Sequence, residues 1–174
     1  MAADHAITPI VRTALAGAGT RTIRKTKMTR FLLGILAYVV PTFALGFAWH
    51  LILFEQYYKA LAIYRGDIII PFGLLSMLIQ ATIFGWIYQN IFARRNGTFL
   101  SRALLYAACG AALSWSFTTL AVAAKNVMAS VPDYLVIETG FTIAQWIMVG
   151  PLTALAVGRF SPRNDHVRAP SAAG

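Results

Sequence analysis

Four long apolar stretches, each closed at both ends by charge, dominate the chain. The first runs from Phe31 to Phe54, between Arg30 and Glu55, with no charge inside. The second runs from Ile68 to about Phe92, between Asp67 and Arg94. The third spans Ala103 to Ala124, between Arg102 and Lys125. The fourth runs from Tyr134 to Gly158, between Asp133 and Arg159, with Glu138 as its one internal charge. A helix crosses the hydrocarbon core with ~20 mostly apolar residues, so each stretch predicts a transmembrane helix. The connections are 9 to 13 residues long, which favours antiparallel neighbours. The expected fold is all-α: a four-transmembrane-helix bundle, up-down in topology. Pro41, Pro71 and Pro151 fall inside these stretches, where membrane helices tolerate proline.

Composition agrees. Of 174 residues, 58% are hydrophobic and 12% charged, and the mean hydropathy is +0.64. A soluble domain carries about 25% charged residues; half of that cannot cover a surface facing water. An ordinary soluble enzyme is excluded. Cys109 is the one cysteine, which excludes an intrachain disulfide, a Cys-x-x-Cys redox pair and a thiolate zinc site. His5 and His166 lie in polar ends and only His50 adjoins a span. A bis-histidine haem within one chain and a histidine-rich di-iron site are excluded. No glycine-rich phosphate loop of the P-loop type is present. The expectation is therefore no cofactor and no metal.

Basic residues set the orientation. Twelve lie on one side: Arg12, Arg21, Arg24, Lys25, Lys27 and Arg30 before the first span, Arg94, Arg95 and Arg102 in the middle, and Arg159, Arg163 and Arg168 at the end. Three lie on the other: Lys59, Arg65 and Lys125. Both termini are expected in the cytoplasm of a bacterium, with the protein in its inner membrane. The net charge of +9 is then topological, with anionic headgroups as its partner. It is not read as a nucleic-acid surface, because the Arg21–Arg30 cluster lacks interleaved aromatics.

Residues 1–27 are rich in Ala, Thr, Gly and Arg and are expected to be a disordered cytoplasmic tail, as are residues 160–174. Met28 is an alternative start, which would leave 28–159 as the transmembrane domain. The first span is too long for a cleavable signal peptide, and Trp49-His50 stands where small residues would be needed. The run Met28-Thr29-Arg30-Phe31-Leu32-Leu33-Gly34, then Gly46-Phe47-Ala48-Trp49-His50, paired Tyr57-Tyr58, and Ile70-Pro71-Phe72-Gly73-Leu74-Leu75-Ser76 resembles a family of small uncharacterised bacterial four-helix membrane proteins. The likeness covers Met28 to Arg159. It implies a four-helix inner-membrane protein, and it brings no catalytic residue, cofactor or substrate.

The two halves also resemble each other. Trp49 and Trp115, Lys59 and Lys125, and Asp67 and Asp133 are each 66 apart; Gln80 and Gln145, Gly85 and Gly150, and Arg94 and Arg159 are each 65 apart. Two tandem helix pairs, as in a parallel repeat, and chance coincidence both account for this. A true repeat would place Gln80 and Gln145 at similar depth.

The polar residues of the spans are the candidate chemistry. Glu138 lies one turn inside Tyr134, and reads either as a functional carboxylate or as a structural partner of Lys125. His50 falls near the outer interface beside Trp49 and Glu55, either as an acid–base group or as a hydrogen-bonded interfacial histidine. Gln80 and Gln145 lie deep and read best as interhelical glue. The candidate polar pocket is thus His50, Glu55, Gln80, Lys125, Glu138 and Gln145. Small residues on the third helix, Ala107, Gly110, Ser114 and Thr118, are expected to pack, within the bundle or in a dimer. Trp49, with several tyrosines, suits the interfacial belt. Trp115 and Trp146 are nearer mid-membrane, where each indole N–H needs a partner; Trp49, Trp115 and Trp146 are the candidate aromatic contacts.

Three functions fit. The first is a non-enzymatic protein that binds a lipid, a small hydrophobic molecule or a membrane partner, itself included as a homo-oligomer. The second is a small oligomeric transporter using Glu138. The third is an enzyme with His50 and Glu138 as acid and base at the outer leaflet, which requires the two within hydrogen-bond reach. The first needs the fewest additions to the sequence; no catalytic residue is assigned.

Overall fold

The computed structural model describes residues 27–158; the disordered tails expected at 1–27 and 160–174 lie outside them, apart from Lys27. Five helices make up the fold, with no strand among the described residues. They are α1 (Lys27–Leu53), α2 (Glu55–Leu61), α3 (Ile70–Asn90), α4 (Phe99–Ala123) and α5 (Val131–Gly158). Four are long and apolar enough to cross a membrane; for α3 the apolar run continues through a 3-10 turn to Arg94. The boundaries differ by a few residues from those expected. Pro71 illustrates why: it sits in the first turn of α3, where its missing N–H has no intrahelical acceptor to lose, so it starts the helix and does not kink it. Thr98 caps α4 by accepting the Ser101 N–H at 3.2 Å. Gly97 precedes it at φ +130°, a conformation that suits glycine.

The faces of α1 explain its placement. Leu32, Leu36, Val40, Phe43 and Phe47 form an exposed apolar stripe. Gly34, Tyr38 and Thr42 are buried on the opposite side, with Gly46 and His50 continuing the same four-residue step. In water such an exposed stripe would be an aggregation hazard; against hydrocarbon it is the solvent-facing side. The central helix is α5, with ten buried residues against three on α3.

Contacts run in opposite numerical order along neighbouring helices. From α1 to α3 they pair Lys27 with Gln89, Gly34 with Gly85 and Tyr38 with Gln80. From α1 to α5 they pair Gly34 with Val157, Thr42 with Gln145 and His50 with Glu138. From α4 to α5 they pair Ala107 with Gly150, Gly110 and Ser114 with Trp146, and Trp115 with Thr139. Of the small residues of α4, Ala107, Gly110 and Ser114 are therefore spent inside the bundle against α5, and Thr118 is exposed. Trp146 lies against Gly110, so near that a Cβ there would come within 2.1 Å of the ring. Tyr38, Phe84 and Tyr106 surround the same indole at 4.9–5.8 Å between centroids, within the range of favourable edge contacts.

Two helices change pitch. A π turn occupies Trp49–Leu53 of α1, closed by the Phe54 N–H on the Trp49 carbonyl at 3.0 Å. A second occupies Trp115–Leu120 of α4. Their first residues are 66 apart, the spacing of the tryptophan pair in the sequence comparison. Such bulges concentrate at functional sites, and these two flank one cavity.

Candidate functional site

The site is built where α3 leaves its neighbours. The second half of α3 packs closely: Ala81, Gly85 and Tyr88 are buried. From Pro71 to Gln80, by contrast, no residue is buried. A cavity of about 500 Å³ fills the space this leaves between α1, α3, α4 and α5. That volume falls within the range of small-ligand sites. Its outer wall is apolar and half open, formed by Phe43, Phe47, Ile70 and Leu74. Its floor is the polar stripe of α5, with Glu138 and Gln145, and it is flanked by His50 and Thr42 of α1.

At one end of the floor, Glu138 is the meeting point. The Tyr58 hydroxyl donates to Glu138 Oε1 at 2.7 Å, and His50 Nε2 lies 3.3 Å from the same oxygen. His50 Nδ1 donates to the Gly46 carbonyl at 2.9 Å. Glu138 and Gln145 are 7% and 6% exposed, so a charge on the carboxylate has little water to hold it. Tyr58 reaches Glu138 because α2 folds back over the bundle. Its buried side, Tyr58 and Leu61, packs on Tyr134, and the Ala129 N–H donates to the Leu61 carbonyl at 3.0 Å. Burial, then the hydrogen bond and charge of Glu138, push the Tyr58 phenol well above its usual range, which keeps it a neutral donor.

At the other end of the floor, Tyr38 joins the two glutamines. Its hydroxyl donates to Gln80 Oε1 at 2.9 Å and accepts from Gln145 Nε2 at 3.4 Å. Gln145 Nε2 also donates to Thr42 Oγ1 at 3.3 Å, and Gln80 Nε2 to Ser76 Oγ at 3.3 Å. The glue expected of the two glutamines is present, with a tyrosine between them that the sequence reading left unassigned.

Four of the six candidate polar residues thus line one cavity: His50, Gln80, Glu138 and Gln145. The other two lie elsewhere. Glu55 pairs with Lys59 at 2.6 Å on α2, one turn apart. Lys125 is exposed, and it makes no ion pair among the described residues. The partner of Glu138 is His50 and not Lys125, because the end of α4 ties to α2 and leaves Lys125 outside. The aromatic candidates are occupied by packing. The Trp146 indole donates to Ser114 Oγ at 3.1 Å, and that of Trp115 to Thr139 Oγ1 at 2.9 Å. Trp146 is only 1% exposed, so its ring is covered by the protein itself. Trp49 lies on Phe54 and Phe141, at 4.6 and 6.0 Å between centroids. Among the described residues, no three His, Cys, Asp or Glu side chains converge on a metal-sized site.

Comparison with family models, with curated proteins and with solved structures gives no match, so the reading of function rests on the cavity itself.

Proposed function

We propose that the protein is a non-enzymatic, multi-pass membrane protein that binds a small lipophilic molecule in the cavity under the first half of α3. One observation carries this reading: a ligand-sized space with an open apolar wall and a buried polar floor. Ligand sites combine those two features, apolar lining for affinity and a few polar groups for orientation. The bundle is up-down, as the reversed contact order along neighbouring helices supports. Both basic ends face the cytoplasm of a bacterial inner membrane, as the twelve-to-three distribution of Lys and Arg supports. On that topology Asp67 and Asp133 lie outside, and the His50–Glu138 end of the cavity belongs to the outer leaflet. The resemblance to small bacterial four-helix membrane proteins bears on fold and membrane location only, and brings no ligand.

The test is native mass spectrometry of the full chain released from mild detergent, with Gly73→Trp beside it. Gly73 lines the cavity, and a Cβ there meets nothing within 4 Å, so a bulky side chain has room. The expected result is a discrete bound mass on the natural sequence that Gly73→Trp loses. A bare chain from both would sink the proposal. A second reading draws on the His50–Glu138 distance of 3.3 Å: an acid–base pair of an enzyme at the outer leaflet. It requires a bound mass that is chemically converted by the natural chain and left intact by His50→Ala.

A further inference from the structure

The protons of the His50–Glu138 pair can be placed by counting donors and acceptors. The Gly46 carbonyl can only accept, so His50 Nδ1 carries hydrogen. Nε2 then faces Glu138 Oε1 at 3.3 Å. Two bare lone pairs would repel there, so one proton lies between them. If it is on Nε2, the pair is imidazolium and carboxylate. If it is on Oε1, both groups are neutral. The sum is zero in either case, and Tyr58 donates to Oε1 in both.

Two acceptors remain open on the cavity floor. Glu138 Oε2 is an acceptor in both protonation states, and it takes no hydrogen bond among the described residues. Gln145 uses its Nε2 for Tyr38 and Thr42, and its Oε1 likewise has no donor. Both side chains are more than nine-tenths buried and both line the cavity. Seven residues of helix separate them, about 10 Å along α5. Neither oxygen is sealed off from accessible space, so both open on the cavity, and an occupant that brings donors to them gains hydrogen bonds that one without donors does not.

We infer that the cavity takes an uncharged lipid whose head carries hydroxyl donors, with the head turned inward onto Glu138 and Gln145 and the hydrocarbon leaving between α1 and α3. This rests on the binding function proposed above and adds the chemistry of the ligand. An anionic head would meet two acceptors. A cationic head would find no net negative charge at the pair, and exposed Arg65 at the rim. An ester without hydroxyls would leave both acceptors unfilled. The direction follows from exposure: Phe43, Phe47, Ile70 and Leu74 are half open on the outer wall, and the polar groups lie behind them. The volume is that of one small-ligand site, which suits a single chain.

Four oleoyl probes isolate the head: monooleoylglycerol, methyl oleate, oleate and oleylamine. The full chain is placed in phosphatidylcholine nanodiscs, and occupancy is read by native mass spectrometry over a concentration series. Monooleoylglycerol is expected to bind at least ten-fold more tightly than each of the others. Gln145→Leu should bring its advantage over methyl oleate down at least three-fold, with the thermal midpoint recording whether the variant is folded. Gly73→Trp should lose all four. Methyl oleate binding as well as monooleoylglycerol, or oleate or oleylamine binding best, would overturn the hydroxyl-head assignment and leave the cavity as a lipid site. No binding by any probe, or binding that Gly73→Trp leaves unchanged, would overturn the cavity reading and this inference with it. The comparison among probes on the natural sequence decides the head chemistry even where Gln145→Leu fails to fold.

Discussion

The two ends of the bundle use the same helices and are held together differently. At one end the contacts are glycine against backbone or ring. Gly85 faces Gly34 and Ile35, Gly150 faces Ala103 and Ala107, and Gly110 faces Trp146. At the other end α3 stands off, two helices carry π turns, and polar side chains bridge α1, α2 and α5. Hydrocarbon offers no hydrophobic drive for helix association, so close van der Waals contact and interhelical hydrogen bonds must supply it. Small residues give the first and exclude space. Polar pairs give the second and tolerate a gap, since a hydrogen bond reaches across a distance that close packing does not. The cavity therefore lies where the second device replaces the first.

Gly110→Ala should break the packed end, and it carries the largest expected effect. Its Cβ would lie 2.1–2.5 Å from three atoms of the Trp146 ring. That ring cannot swing away, being ringed by aromatics and bonded to Ser114. Overpacking a well-filled core costs about 1–3 kcal/mol, and this site belongs at the top of that range, about 3 kcal/mol. Thermal unfolding in bicelles would measure it. A midpoint unchanged from the natural sequence would mean that α4 and α5 are not held as closely as described.

The open end is tested through Glu138. Glu138→Leu removes the acceptor of Tyr58 and the partner of His50 at once, leaving the buried Tyr58 hydroxyl and the half-buried His50 Nε2 without their partner. About 2 kcal/mol of stability should go, within the usual cost of unmade buried hydrogen bonds. Tyr58→Phe removes only one donor and leaves the His50 contact, so about 1 kcal/mol is expected. Measured in the same bicelles, the order Glu138→Leu, then Tyr58→Phe should hold. Equal losses would place all of the energy in the tyrosine bond and none in the histidine contact.

Much of this was legible in the sequence, and the gaps have physical causes. Spans defined by charge at both ends were found to within a few residues, because the cost of a charge in hydrocarbon punctuates the chain sharply. His50, Glu138, Gln80 and Gln145 stood out as polar positions in apolar runs, and the structure brings all four to one cavity. Tyr58 and Tyr38 were not legible as site residues. A tyrosine at the end of a span suits the interfacial belt, and only the tertiary fold turns Tyr58 inward. The short helix α2 is the reason. Its signal was present as Tyr58 and Leu61 three apart, with Glu55 and Lys59 four apart, but seven residues are too few to separate from a loop by pattern. Partner choice was the other gap. Glu138 and Lys125 are near neighbours in sequence, and nearness in sequence did not predict that a residue 88 positions away would be the contact.

The smallest effect gives the sharpest contrast, because its sign reverses between the two ends. Gly73→Ala adds a Cβ to α3 where nothing lies within 4 Å. Gly110→Ala adds the same methyl group where a ring already lies. A helix interior prefers alanine to glycine by about 1 kcal/mol, through backbone entropy alone. At Gly73 that preference has no steric opponent, so a gain of about 0.5 kcal/mol is expected in the bicelle measurement. Gly46→Ala is intermediate: its Cβ would touch Met77 and Phe141 at 3.8–3.9 Å, ordinary contacts that narrow the cavity without a clash. Stability should therefore rise or hold at Gly73 and Gly46 and fall at Gly110. A loss at Gly73 equal to that at Gly110 would mean that the first half of α3 packs against its neighbours, and that the space assigned to a ligand is closed by the protein.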